Sequence, residues 1–195
     1  MKKHILISTI ACSVLLAACG HNKKILVYAS SDIQVDESQK NITVTEGTTH
    51  HEKELEFSGS GPVGLTVQST AGKFTVEAKD DGLYILNLQK DTIVGSFQHI
   101  GTDNGKVKYT VEQLAHAVDS LRQLTSGSNI SAAAKNYFIP PSKIERITAN
   151  TKARVFGPYT TVPSGFDAGS VPELYKFYTN PEMREIMKQL SGAGK

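Results

Sequence analysis

Four stretches that alternate apolar and polar residues constrain this chain more than any other feature. They are Ile42-Thr43-Val44-Thr45, Leu55-Glu56-Phe57, Val63-Gly64-Leu65-Thr66-Val67 and Phe74-Thr75-Val76-Glu77-Ala78. A period of two puts successive side chains on opposite faces of an extended backbone, so each stretch predicts a strand with one buried face and one wet face. Turn signals separate them: Glu46-Gly47, Ser58-Gly59-Ser60-Gly61-Pro62, Ala71-Gly72, Asp80-Asp81-Gly82 and Asp103-Asn104-Gly105. Leu83-Tyr84-Ile85-Leu86-Asn87-Leu88 is apolar at nearly every position, which predicts a central strand covered on both sides. Short strands broken at such intervals predict an antiparallel module over residues 24–109, either a β-sandwich or a small barrel.

The pattern changes near residue 110. Thr110-Val111-Glu112-Gln113 fits a capping box, and Val111, Leu114, Val118 and Leu121 follow at helical spacing, with Gly127 as the stop. Ser131-Ala132-Ala133-Ala134 predicts a second, short helix before Pro140-Pro141. Ile144-Glu145-Arg146-Ile147 and Ala153-Arg154-Val155-Phe156 return to alternation and predict strands. The last helix carries the clearest signals: Asn180 as cap, Pro181 in the first turn, and Met183, Ile186, Met187 and Leu190 on one face, ending at Gly192. The expected fold is therefore α+β. An antiparallel β module comes first, and residues 110–195 form a helical and mixed region packed on it.

The first 18 residues are of another kind. Met1-Lys2-Lys3-His4 is basic, and Ile5 to Ala18 is an apolar run of 14 residues, shorter than the roughly 20 that a spanning helix needs. The run closes on Leu16-Ala17-Ala18-Cys19. This resembles the lipobox of bacterial lipoproteins, in which a peptidase cleaves between the residues that stand here as Ala18 and Cys19. The resemblance covers residues 1–19 alone. It implies a diacylglyceryl thioether on Cys19 and acylation, commonly palmitoylation, of the freed amine. Cys12 is the rival site, but Thr9 stands where the lipobox has an aliphatic residue. Gly20 in place of Asp after the cysteine, with no acidic run following, implies the outer membrane, facing the periplasm. Residues 19–23 would be the lipidated tether, reaching about 15–20 Å, and Lys23 and Lys24 read equally as contacts to lipid phosphates or as an ordinary solvated strand start.

Cleavage would also reset the charge. Removing Lys2 and Lys3 leaves 19 basic residues against 19 acidic ones, so electrostatics offer no case for nucleic acid binding. With Cys12 removed and Cys19 lipidated, no disulfide or thiolate metal site remains.

Motifs for chemistry are sparse. His50-His51 stands beside a turn and reads as exposed loop, and adjacent strand residues point to opposite faces, which works against a shared metal. His21, His99 and His116 fall into no metal-binding spacing, so no metal and no cofactor are expected. No nucleophile elbow or phosphate-binding loop occurs, and Asp80-Asp81 reads as hairpin turn chemistry. Aromatic residues give one hint of a surface. Eight of the fourteen Phe and Tyr residues lie between Tyr137 and Tyr178, in a segment rich in Pro and Gly. Aromatics on rigid loops can form a binding groove, and Tyr159, Tyr175 and Tyr178 are the candidates. The expected role is a non-enzymatic binding or structural accessory in the cell envelope, with an envelope protein as partner. The alternatives are an envelope hydrolase acting on glycan or peptide, and a carrier of a hydrophobic ligand.

Overall fold

The computed structural model describes residues 22–70, 72–98, 111–131, 133–163 and 173–193. Ala18, Cys19, His21, His99, Thr110 of the expected capping box and the turn at 103–105 lie outside them. The described chain is mainly β, with twelve strands in three mixed sheets and two helices. The strands are β1 (Asn22–Ala29), β2 (Ile33–Asp36), β3 (Asn41–Val44), β4 (His51–Ser58), β5 (Val63–Ser69), β6 (Gly72–Ala78), β7 (Gly82–Leu88), β8 (Ile93–Phe97), β9 (Asn136–Ile139), β10 (Lys143–Thr148), β11 (Arg154–Phe156) and β12 (Leu174–Thr179). The helices are α1 (Val111–Thr125) and α2 (Asn180–Ala193).

A central sheet runs β10-β7-β1-β4, an outer sheet β2-β3-β5-β6, and a helix-backed sheet β11-β12-β8-β9. The antiparallel expectation needs correction, because each sheet contains one parallel pair: β1 with β7, β3 with β5, and β11 with β12. Alternation reports which face a side chain takes, not the direction of the strand beside it. Strands from both sides of residue 110 share two of the sheets, with β10 edging the central one and β8 inside the helix-backed one.

Both faces of the central sheet are buried, as the apolar run in β7 implies. Ile25, Val27 and Ala29 of β1, with Tyr84 and Leu86 of β7, pack on Ile42, Leu65 and Val67 of the outer sheet. The alternate residues Leu26, Tyr28, Leu83 and Ile85 pack on Ile93, Tyr137, Tyr175 and Phe177 of the helix-backed sheet. That sheet buries its far side too, where Val94, Phe138 and Tyr178 meet Leu124 of α1 and Met183 and Met187 of α2.

Local signals fix the ends of the elements. Gly127 stops α1 in a left-handed conformation (φ 72°), with Gly127 N–H donating to Leu124 O and Ser128 N–H to Gln123 O. The cap of α2 is Thr179, one residue before the expected Asn180. Its hydroxyl accepts from Glu182 N–H (3.3 Å), while Glu182 Oε2 accepts from Thr179 N–H (2.8 Å), a reciprocal capping box. Gly192 lies inside the last turn of α2 rather than beyond it. The short helix expected at 131–134 is also absent among the described residues: 133–135 form a turn, and β9 follows directly.

Lys23 and Lys24 are both engaged in ion pairs within the described chain. Lys23 Nζ, almost fully buried, meets Asp81 Oδ1 at 3.0 Å, and Lys24 Nζ meets Glu54 Oε1 at 2.6 Å. At the opposite edge Glu173 gathers Lys135, Thr148, Asn150 and Tyr175, each within 3.3 Å. Burial alone would raise its pKa. The hydrogen bonds, led by that of Tyr175, outweigh burial and hold the carboxyl below its usual value.

Two outcomes are expected. Ile85→Ala and Leu86→Ala point to opposite faces, yet each should cost about 2–5 kcal/mol in denaturant unfolding, since both faces are core. Glu173→Gln should cost about 2 kcal/mol near neutrality. Because the native pKa is depressed, that deficit is full above the unfolded value of about 4.3 and closes as pH falls through the native value. Thermal melts of both proteins from pH 7 to pH 3 measure it.

Candidate functional site

Alternation along β12 separates two of the three candidate tyrosines. Tyr175 and Phe177 point toward the central sheet, and Tyr175 is buried at 1% exposure between the rings of Phe97 and Tyr137. It is a core residue and takes no part in a surface. Lys176 and Tyr178 share the other face and line a groove of about 710 Å³. Tyr159, from the loop after β11, stands at the same groove with 63% of its surface exposed. The structure therefore brings Tyr159 and Tyr178 together and separates Tyr175. Of the other aromatics in that segment, Phe166 lies outside the described residues.

Val162, Pro163 and Ile186 supply the apolar walls, and Glu182 and Glu185 of α2 the acidic ones. The capacity falls within the roughly 300–1,000 Å³ of small-ligand sites. Tyr159 is left-handed (φ 63°), a conformation that costs a non-glycine residue about 1–3 kcal/mol. Glu182 compensates, since its Oε1 accepts from Tyr159 N–H at 2.7 Å. With Oε2 engaged at Thr179, both oxygens of this carboxylate hold backbone in place. One side chain thus caps α2 and fixes the most exposed aromatic ring of the described chain.

Lys176 forms the floor. It is 5% exposed, its Nζ donates to Gly157 O (2.7 Å) and Phe177 O (2.8 Å), and it lies 4.3 Å from the centre of the Tyr178 ring. Desolvation lowers its pKa, partly offset by the charges of Glu182 and Glu52. The carbonyl of Gly157 reaches Lys176 because the backbone there lies directly on the Tyr28 ring; a Cβ at residue 157 would come within 2.6 Å of Tyr28 Cε1.

His50 was expected in exposed loop and is instead half-buried beneath Tyr159. Its ring stacks on Tyr28 (5.9 Å) and meets Tyr159 edge-on (5.5 Å), while Nδ1 lies 2.8 Å from Gln89 Nε2. His51, the first residue of β4, does not join that stack and instead meets Asp32 Oδ1 at 3.2 Å. His116 is exposed on α1. Desolvation, followed by the charges of His51 and Lys176, lowers the His50 pKa against the opposing pull of Glu182. A neutral ring accepts from Gln89 at Nδ1 and carries its proton on Nε2, which is buried without a partner among the described residues, as is Tyr28 Oη. Among the described residues no three His, Cys, Asp or Glu side chains gather where a metal could bind.

No family model, curated protein or solved structure matches this chain.

The arrangement holds an aromatic and apolar surface in a fixed shape, with Lys176 and Glu182 engaged in positioning backbone. A pH effect follows from His50. With a native pKa below the unfolded value of about 6.5, its contribution is full above that value and is lost as pH falls through the native one. Melting temperature should drop between pH 7 and pH 5, and His50→Gln should flatten that drop while lowering stability at pH 7.

Proposed function

We propose that the chain from Cys19 onward is a lipid-anchored protein of the bacterial cell envelope, carried on the outer membrane and facing the periplasm, with a non-enzymatic binding role. The anchor rests on the resemblance of Leu16-Ala17-Ala18-Cys19 to a lipobox. Two or three acyl chains, at about 0.8 kcal/mol per buried methylene, suffice to hold a domain on a bilayer. No helix among the described residues is long and apolar enough to cross a membrane. We take the architecture as α+β, a stacked β-sandwich whose last layer is helical.

One observation carries the binding role. Tyr159 is held exposed and strained at the mouth of the apolar groove by one oxygen of the carboxylate whose other oxygen caps α2. Exposed aromatics whose conformation is already fixed give up little entropy on association, which is why such rings dominate interfaces. The occupant proposed is a segment of an envelope protein.

Cys19→Ala should abolish labelling by a palmitate analogue and release the chain from the membrane fraction. A mature form still anchored would refute the anchor. In-cell crosslinking with mass spectrometry should recover one dominant protein partner. Tyr159→Ala should cut recovery about tenfold, equivalent to about 1.4 kcal/mol, and Tyr175→Phe should leave it intact. Equal recovery with Tyr159→Ala would remove the groove from the interface.

A further inference from the structure

A second concavity, on the other side of His50, has chemistry that neither the anchor nor the Tyr159 groove uses. The parallel pairings β1–β7 and β3–β5 bring the C-terminal ends of four strands to one place, between the central and outer sheets. There they enclose a cleft of about 620 Å³, closed on one side by the turn before β10. Each strand runs out into a polar residue at the cleft: Ser30 after β1, Thr45 after β3, Thr70 after β5 and Gln89 after β7. The hydroxyls of Ser30, Ser31, Thr48, Thr70 and Ser142 all line it, and none has a hydrogen-bond partner among the described residues.

The wall is built rather than incidental. Asn87, fully buried, donates from Nδ2 to Asp91 O and Ile139 O (both 2.9 Å) and accepts at Oδ1 from Gln89 N–H (3.0 Å). Its own carbonyl accepts from Ser142 N–H at 2.7 Å, holding Ser142 at φ 61°. Gln89 is therefore fixed at its backbone by Asn87 and at its amide by His50. It is 6% exposed and lines the cleft, and its Oε1 has no partner among the described residues. An amide oriented this firmly, at the wall of an open cleft, presents an acceptor in a fixed position to a donor on a ligand. Gly47 completes the rim, because a Cβ there would come within 2.8 Å of Ser31 Cβ and hold the loop away.

From this geometry we infer that the cleft binds a neutral saccharide. Hydroxyls both donate and accept, as sugar hydroxyls do, so the two sets can satisfy each other without a net charge. Val44, Leu88 and Pro141 offer apolar surface to the C–H faces of a ring. The charged residues at the cleft, Glu46 and Lys90, cancel, which disfavours an anionic or cationic ligand. The volume lies in the range of sites that enclose small ligands.

The test is calorimetric titration of the full chain, in a detergent that carries no sugar, with maltotriose, cellotriose, tri-N-acetylchitotriose and, for contrast, trigalacturonate. At least one neutral trisaccharide should bind saturably with a Kd of about 1 mM or tighter. Gln89→Leu should weaken it about tenfold or more. The exposed pair Thr48→Val and Thr70→Val, which leaves the core untouched, should weaken it as well. Tyr159→Ala should not change it, which separates this site from the protein-binding groove. Absence of saturable binding by all three neutral sugars, binding of trigalacturonate alone, or binding indifferent to the Thr48 and Thr70 substitutions would each overturn the assignment.

Discussion

Burial of the central sheet on both faces is the constraint on which the rest of the structure depends. A sheet with two apolar faces needs cover on each, and that requirement recruits one sheet to either side of β1 and β7. The second of these covering sheets is itself apolar on its far side, so α1 and α2 are drawn onto it in turn. Each layer exists because the layer beneath leaves apolar surface that water would otherwise have to hydrate. Both candidate sites lie where these layers end. The hydroxyl-lined cleft opens between the first two sheets, and the Tyr159 groove opens between the third sheet and α2.

How much of this was legible in the sequence depended on whether the signal was local. The run from Leu83 to Leu88 announced a strand covered twice, and Gly127 announced the end of α1, because each rests on a few adjacent residues. Strand direction did not show, since Ile42-Thr43-Val44 reads the same beside a parallel or an antiparallel neighbour. β12 was hidden for a related reason. Leu-Tyr-Lys-Phe-Tyr-Thr buries both of its faces and carries a lysine in the middle, so neither alternation nor a continuous apolar run marks it. Ala133 and Ala134, read as part of a helix, lie instead in the turn that leads into β9 and its pairing with β8.

The same division holds for the groove. Tyr159 and Tyr178 were visible as aromatics in a loop-rich segment, but Tyr175 belongs to the opposite face, and only the register of β12 separates them. Glu182 could have been found: Thr179-Asn180-Pro181-Glu182 is a capping-box sequence, and Asn180-Pro181 drew the cap one residue too late. Its second task, bonding Tyr159 N–H, had no local trace. His50 was unreadable in its role, because its partners Tyr28, Gln89 and Tyr159 come from three distant parts of the chain. It now stands between the two sites, in contact with Gln89 on one side and Tyr159 on the other.

The position of β1 has a mechanical consequence. On the lipid-anchored reading, the tether enters at Asn22, the first residue of a strand hydrogen-bonded along both edges, to β4 and to β7. Drag on a domain held at Cys19 would then load β1 along its own length. In that direction the rungs of both ladders resist together in shear, instead of parting one at a time as they would at a peeled edge strand. The point of attachment would thus be among the hardest places from which to pull the fold apart, which suits a protein whose surroundings can move while its lipid end stays fixed.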